Sequence, residues 1–360
     1  MNMDFINALD EIEREKGIAK EVLIDAIEAA LISSYKRNFN TAQNVRVDIH
    51  RQTGLIKVYA RKTVVEQVSD QRMEITLDHA REFSPHYSFN DIVEIEVTPR
   101  DFGRIAAQTA KQVVTQRIRE AERGLIFNAF VEKEDELVNG LVQRIDQRNY
   151  YIGLEKLEAM LPITESMPTD KLKMGDRVKA YVTKVENTTK GPQVVLSRTH
   201  PNLLKRLFEL EVPEIYDGVV EIRSIAREAG FRSKIAVYSK NEDVDSVGSC
   251  VGPKGMRVQA IVNELRGEKI DIVRWSDNMA EYIANSLSPS KVVEVTLQES
   301  EKIARVIVPD YQLSLAIGIK GQNARLAAKL TNWKIDIKSE SQVGLPPSTQ
   351  AESSAELEQR

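Results

Sequence analysis

Apolar residues recur along this chain with two periods, helical at the start and strand-like soon after. Phe5, Ala8, Leu9 and Ile12 share one helical face that closes near Lys16-Gly17. Val22, Ile24, Ile27, Ala30 and Leu31 share the next, with Glu21 and Asp25 in its first turn, where carboxylates suit the helix dipole. Period two takes over at Val45-Arg46-Val47-Asp48-Ile49, turns at Gln52-Thr53-Gly54 and returns along Leu55-Ile56-Lys57-Val58-Tyr59, which predicts a hairpin. A third strand, Ile92 to Val97, stops at Pro99. From Arg100 to Ile118 the pattern predicts one long helix, with Ile105, Ala106, Val113 and Ile118 towards a core and Arg104, Lys111 and Arg119 in water. That basic face reads either as a solvated surface or as a partner surface.

Around Glu132-Lys133-Glu134-Asp135-Glu136 the periodicity breaks into a charged linker, and short strands follow to about His200. They are Gly140–Ile145, Tyr150–Leu154, Ala159–Pro162, Arg177–Val185 and Gln193–Arg198, with turns at Gly175-Asp176 and Lys190-Gly191-Pro192. Strands of this number and length predict an OB-type barrel. Tyr151 on the second strand is placed to stack on a base, with Arg148, Lys179 and Lys184 near it, although an aromatic in a barrel strand also serves as core.

Beyond the barrel the chain repeats itself. Gly252-Pro253-Lys254-Gly255 and Gly318-Ile319-Lys320-Gly321 each lie between a short apolar helical segment and a longer amphipathic one. Each copy then closes on nearly the same strand, Lys269-Ile270-Asp271-Ile272 and Lys334-Ile335-Asp336-Ile337. Strands at Val219–Ile222 and Lys234–Val237 precede the first helical pair, and strands at Val292–Val295 and Ala304–Val308 precede the second. Glycines without Cβ atoms let a phosphodiester backbone come close, and the helix beginning at the turn offers unpaired N–H groups to a phosphate. This is the order and chemistry of the bacterial-type KH fold, whose Gly-x-x-Gly loop clamps about four nucleotides of single-stranded RNA. A tight helix–helix turn with no ligand is the bland alternative for one copy, and two copies with matching flanks argue against it.

The expected architecture is therefore multidomain α+β. It comprises a helical and β-hairpin domain (1–128), an OB barrel (135–200), two tandem KH domains (201–276 and 277–344) and a polar, acidic tail (345–360) expected to be disordered. The candidate RNA contacts are Gly252, Pro253, Lys254, Gly255 and Arg257 in the first KH copy. In the second they are Gly318, Ile319, Lys320, Gly321, Gln322, Asn323 and Arg325, and in the barrel Tyr151, Arg148 and Lys184.

Composition limits the alternatives. The net charge of −4 argues against a protein that coats RNA without selection, yet it permits local basic faces, because the acidic residues gather away from the glycine loops. The single cysteine, Cys250, excludes an internal disulfide, points to a reducing compartment and reads as a packed thiol. There is no membrane-length apolar run and no signal-peptide pattern at the start, so a cytoplasmic protein is expected. No phosphate-binding loop of the Gly-x-x-x-x-Gly-Lys-Ser/Thr type fits, and His50, His79, His86 and His200 are scattered, without zinc spacing. No catalytic, metal or cofactor site is expected.

Longer runs make the pattern specific. They include Ala26-Ile27-Glu28-Ala29-Ala30-Leu31, Phe102-Gly103-Arg104-Ile105, Leu196-Ser197-Arg198-Thr199-His200-Pro201, Glu211-Val212-Pro213-Glu214-Ile215, Gly248-Ser249-Cys250-Val251-Gly252 and Gly321-Gln322-Asn323-Ala324-Arg325-Leu326-Ala327. In these runs, and in domain order over residues 1 to about 340, the chain resembles the NusA family of bacterial transcription elongation and termination factors. The resemblance implies that the first domain docks on RNA polymerase near its RNA exit, with Arg104 and Lys111 as candidate contacts. It implies that the barrel, of the ribosomal S-one type, and both KH domains hold nascent RNA. It also implies effects on pausing, intrinsic termination and antitermination, together with other elongation and antitermination factors, by a protein that is monomeric when free. Ile319 stands where the family usually has a second basic residue, which predicts a weaker phosphate grip at the second loop. The extra C-terminal repeats of some relatives are absent, so autoinhibition through them is not expected. A general RNA chaperone would be expected to be net basic. A non-catalytic RNA-binding subunit of an RNA-processing assembly is the other alternative.

Overall fold

The computed structural model describes residues 3–39, 44–155 and 157–344, so the tail at 345–360 lies outside the described residues. The chain forms two compact units, Met1–Ile126 and Phe127–Arg360.

The first unit contains α1 (Met3–Lys16), α2 (Lys20–Asn38), β1 (Val45–Ile49), β2 (Ile56–Val65), β3 (Glu74–Thr76), α3 (Leu77–Phe83), β4 (Ile92–Glu96) and α4 (Phe102–Val131) up to Ile126. The expected hairpin is present, with Val45 opposite Ala60 and Ile49 opposite Ile56, and β4 pairs antiparallel with β2. On β1 the alternation turns Val45, Val47 and Ile49 inward. They meet Leu23, Ile24, Ile27 and Leu31 of α2 and Phe102, Ala106 and Ala110 of α4. The buried stripe of α2 runs through Leu23 rather than Val22, which is half exposed, because Leu23, Ile27, Leu31 and Tyr35 repeat at i+4. On α4 the two alanines let the helix lie close against its neighbours, while Arg104, Lys111 and Arg119 are exposed as expected. The sequence reading had no element between residues 66 and 91. Strand β3 pairs there in parallel with β2, and the Thr76 side chain caps α3 by accepting the His79 N–H.

The second unit begins with a closed barrel of β5 (Leu137–Ile145), β6 (Asn149–Gly153), β7 (Glu158–Pro162), β8 (Arg177–Thr188) and β9 (Gly191–Ser197), ordered β5-β6-β7-β9-β8. The residues expected as a charged linker are tied to this barrel instead. Glu134 accepts the Val185 N–H at 2.6 Å, Asp135 accepts the Tyr181 hydroxyl at 2.5 Å, and Arg206 donates to the Asp135 carbonyl. Sequence pattern gives the charge of such residues but not the donors that meet them.

Two modules with the same connectivity follow. The first contains α5 (Pro201–Glu211), α6 (Pro213–Tyr216), β10 (Val220–Glu228), β11 (Arg232–Ser239), α7 (Ser246–Val251), α8 (Met256–Glu264) and β12 (Lys269–Arg274). The second contains α9 (Met279–Ser286), β13 (Glu294–Gln298), β14 (Ile303–Val308), α10 (Leu313–Ile317), α11 (Gln322–Thr331), β15 (Lys334–Ser339) and the short α12 (Glu340–Val343). In both sheets the first pair is antiparallel and the second parallel, so the sequence repeat is a structural one.

The barrel and the first module share a core. Met167 and Tyr181 of the barrel pack with Leu203, Leu204, Leu207 and Phe208 of α5, and the Tyr181 ring stacks on His200 at 4.7 Å. At that boundary the buried Arg198 makes a two-pronged pair with Asp170, at 2.7 and 3.0 Å, and donates to the carbonyls of Lys179 and Glu264. Arg227 pairs with the buried Glu268 and donates to the His200 carbonyl. The second module packs Tyr282, Leu326 and Leu330 against Ala226, Ala236 and Val273 on the first module's sheet.

Burial pushes the Glu268 carboxyl up, but hydrogen bonds and charge from Arg227, with the Ser233 hydroxyl and the Gly230 N–H, hold it below the usual range. Its folded value lies under its unfolded one, so its stabilisation is complete above the unfolded carboxylate pKa of about 4.3 and is lost as pH falls through the folded value. Acid unfolding of Glu268→Gln should therefore show a shallower pH dependence below about pH 4 than the parent. Identical slopes would rule the group out as a source of acid sensitivity.

Candidate nucleic-acid interface

The two glycine loops have almost the same backbone. Gly252 has φ 71° and ψ 174°, and Gly318 has φ 75° and ψ 171°. The lysine at the third position is left-handed in both, φ 54° at Lys254 and 52° at Lys320, as is the closing glycine, 77° at Gly255 and 74° at Gly321. The glycines do different work. A Cβ at Gly252 would fall 2.6 Å from Arg257 Cγ, and one at Gly318 would fall 2.8 Å from the Asn323 backbone nitrogen. The first glycine of each loop thus lets the turn lie on the following helix. A Cβ at Gly255 would meet nothing within 4 Å, so its left-handed φ sets the requirement there and the surface beyond it is open. Helices α8 and α11 follow Gly255 and Gly321 without a side-chain cap, so the positive end of each helix dipole lies at its loop, although the first N–H of each helix, on Met256 and Gln322, is already accepted by the Pro253 and Ile319 carbonyls. Neither Lys254 nor Lys320 has a side-chain partner among the described residues. Pro253 and Ile319 occupy equivalent positions, and Ile319 is 86% exposed.

The other residues singled out in the KH copies are held by protein partners. Arg257 donates to Glu214 at 2.9 Å and to the Ser249 carbonyl at 2.6 Å, fastening α8 to α6 and to the end of α7. Asn323 is buried and donates to the carbonyls of Leu287 and Ala316, and its Oδ1 has no protein partner. Gln322 and Arg325 both donate to Glu228 of β10, at 2.8 and 2.7 Å, so they join the second module to the first. Hydrogen bonds from Arg325 and Gln322 hold the Glu228 carboxyl below its usual range against a burial penalty. Sequence reasoning named these residues by proximity to the loops. Their partners lie far along the chain, which no local pattern signals. Cys250 is buried behind the first loop, and burial raises its thiol pKa to about 12, so it is a packed group.

On the barrel, ladder partners place Arg144, Tyr151, Met160, Val195 and Lys184 in one outward row across the strands. The Arg144 guanidinium lies 3.6 Å from the Tyr151 ring centroid and covers one face of it, a partner the sequence reading missed. The Tyr151 hydroxyl donates to Asp146 at 2.9 Å. The Asp146 carboxyl lies below its usual range, chiefly through the Arg148 N–H and the Tyr151 hydroxyl. Arg148 is exposed beside it, and Lys184 pairs with Glu186. Lys179 is turned away from Tyr151 towards Glu264 of α8, at 3.7 Å. Among the described residues no His, Cys, Asp and Glu group is placed to hold a metal, and no helix is long and apolar enough to cross a membrane.

Comparison with known proteins agrees with this layout. The NusA N-terminal domain matches residues 4–124, and the S1 RNA binding domain matches residues 132–197. The NusA-like first KH domain matches residues 198–275 and the second matches residues 279–344. The transcription termination/antitermination protein NusA of Halalkalibacterium halodurans is 68% identical over 342 residues, covering 95% of this chain and 90% of that protein. Its Bacillus subtilis counterpart is 66% identical over 340 residues, covering 94% and 92%. The solution structure of the N-terminal domain of the B. subtilis protein is 66% identical, with a TM-score of 0.31, and covers 34% of this chain and 98% of that one.

Proposed function

We propose that this chain, which belongs to the NusA family, docks on RNA polymerase through its first unit and holds emerging single-stranded RNA on its barrel and KH modules. It is a transcription termination/antitermination protein with RNA-binding S1 and KH domains, as its relatives are. The observation that carries the RNA reading is the matched pair of glycine loops. Each joins an unpaired lysine to the start of a helix that no side chain caps, with an open approach at Gly255 and the Arg325 guanidinium beside Gly321, features that suit a phosphate. In this reading residues 1–128, 135–200, 201–276 and 277–344 are the working domains, and the protein is a cytoplasmic monomer when free that meets other elongation and antitermination factors on the polymerase. Lys254 and Lys320 take phosphates. Arg257, Asn323, Gln322 and Arg325 keep the loops in place, and Tyr151 with Arg144 offers a stacking surface on the barrel.

The docking half of the reading rests on α4. Arg104 and Lys111 are exposed there without an ion-pair partner among the described residues, on a unit with its own core. A fragment of residues 1–128 should co-migrate with core RNA polymerase at micromolar concentration. Arg104→Glu should weaken that complex about tenfold, or about 1.4 kcal/mol, and more at low salt. Failure of the folded fragment to co-migrate would end this part of the proposal.

A further inference from the structure

Between the two KH modules lies a cleft of about 400 Å³. One wall is the turn from β10 to β11 with Phe231, together with Lys269 at the start of β12. The other is the second glycine loop with Leu315 and Ile319, and Pro289 also lines the cleft. Its large apolar side chains are exposed, Phe231 by 58%, Leu315 by 47% and Ile319 by 86%, and none belongs to a packed core cluster. Arg232, also in the lining, is committed to Asp271 by two contacts of 2.8 Å, which leaves Lys269 as a cation without a partner among the described residues.

The walls are held at a fixed spacing. Glu228 binds Gln322 and Arg325 across the module boundary, and the buried Lys234 donates to the Ser288 carbonyl next to Pro289. A ligand entering the cleft need not order either wall, so little of its binding free energy goes into reorganisation. Apolar surface flanked by a free lysine, opening beside a loop with the features of a phosphate cradle, matches the chemistry of a nucleotide. The base needs a π or aliphatic face, and the phosphate needs a cation.

We propose that this cleft is a nucleobase subsite, in which one nucleotide of a single-stranded RNA passing between the modules inserts its base against Phe231 and Ile319 while Lys269 meets its phosphate. The inference rests on the reading that the glycine loops hold RNA. It gives the isoleucine of the second loop a role: it supplies an apolar contact to the base where a basic residue would supply charge. Stacking of this kind tolerates any base, so the subsite fixes the path of the strand more than its sequence.

The test uses the full chain and single-stranded RNAs that carry 2-aminopurine at one position after another. One position should be quenched on binding. Phe231→Ala should restore its fluorescence and lower affinity about tenfold with the salt dependence unchanged, and Phe231→Trp should retain both quenching and affinity. Ile319→Ser, at a more exposed site, should reproduce part of the loss. Lys269→Gln should flatten the salt dependence by about 0.7, one phosphate contact on a single strand. If Lys254→Asp weakens binding while Phe231→Ala and Ile319→Ser change neither affinity nor fluorescence, the subsite is overturned and the loop reading stands. If Lys254→Asp also leaves binding unchanged, the loop reading itself has failed. Loss of polymerase binding in Phe231→Ala with RNA binding intact would assign the cleft to a protein partner and overturn the subsite.

Discussion

Replacing Arg198 with alanine should destabilise the barrel and first KH module by about 3–5 kcal/mol, the usual cost of leaving one member of a buried ion pair alone. The Arg198 and Asp170 side chains are 2% and 0% exposed, so water cannot solvate the carboxylate left behind. Asp170 also accepts the Met167 N–H, which ties the stranded charge to a residue of the shared core. Arg198 further joins barrel to module through the Lys179 and Glu264 carbonyls. For a unit of this size a loss of about 3 kcal/mol lowers the melting temperature by roughly 6–12 °C. The parent should tumble as one body over residues 135–340 by NMR relaxation, and the variant should show the barrel moving more independently of the KH pair. Charge-free packing at the site, Arg198→Met with Asp170→Leu, should recover the part of the stability lost to the unpaired charge, while the Met167 N–H and the Lys179 and Glu264 carbonyls still lose their side-chain partners. A single mutant as stable as the parent, or independent tumbling in the parent, would overturn this view of the boundary.

The second large effect concerns binding. Placing Asp at both Pro253 and Lys254 should lower affinity for single-stranded RNA at least about tenfold at moderate salt, since two carboxylates then face the position of a phosphate. One Lys–phosphate contact is lost, so the salt dependence should flatten by about 0.7. The fold should survive. Both glycines remain, and aspartate is among the residues that tolerate the left-handed conformation found at position 254, φ 54°. Filter binding across a salt series, with circular dichroism as the folding check, reads both quantities. Unchanged affinity in the folded variant would mean that the loop is only a turn.

Much of the fold was legible because its signals are local. Alternation marked the barrel strands and the first hairpin, and helical spacing marked α1, α2 and the start of α4. The loop repeat was legible because a Cβ at its first position would strike the next helix and the left-handed φ at its last position favours glycine. β3 and α3 were missed because a three-residue strand and a seven-residue helix are too short to develop a period. Their stability comes from Val64, Ile75, Ala80 and Val93 packing together.

The sequence alone determined the domain types, their order, the repeat of the glycine loop and the family, because each follows from residue spacing or from runs of identity. It could not assign partners. Arg257, Gln322, Asn323 and Arg325 look like RNA contacts beside a glycine loop, and only the tertiary structure showed Glu214, Glu228 and the Leu287 carbonyl already facing them. The same holds for Arg144 over Tyr151 and for Phe231 opposite Ile319. A charged or aromatic side chain carries the same capacity to bind in any context. Whether that capacity is spent inside the protein depends on groups brought to it by folding, and sequence separation gives no measure of that distance.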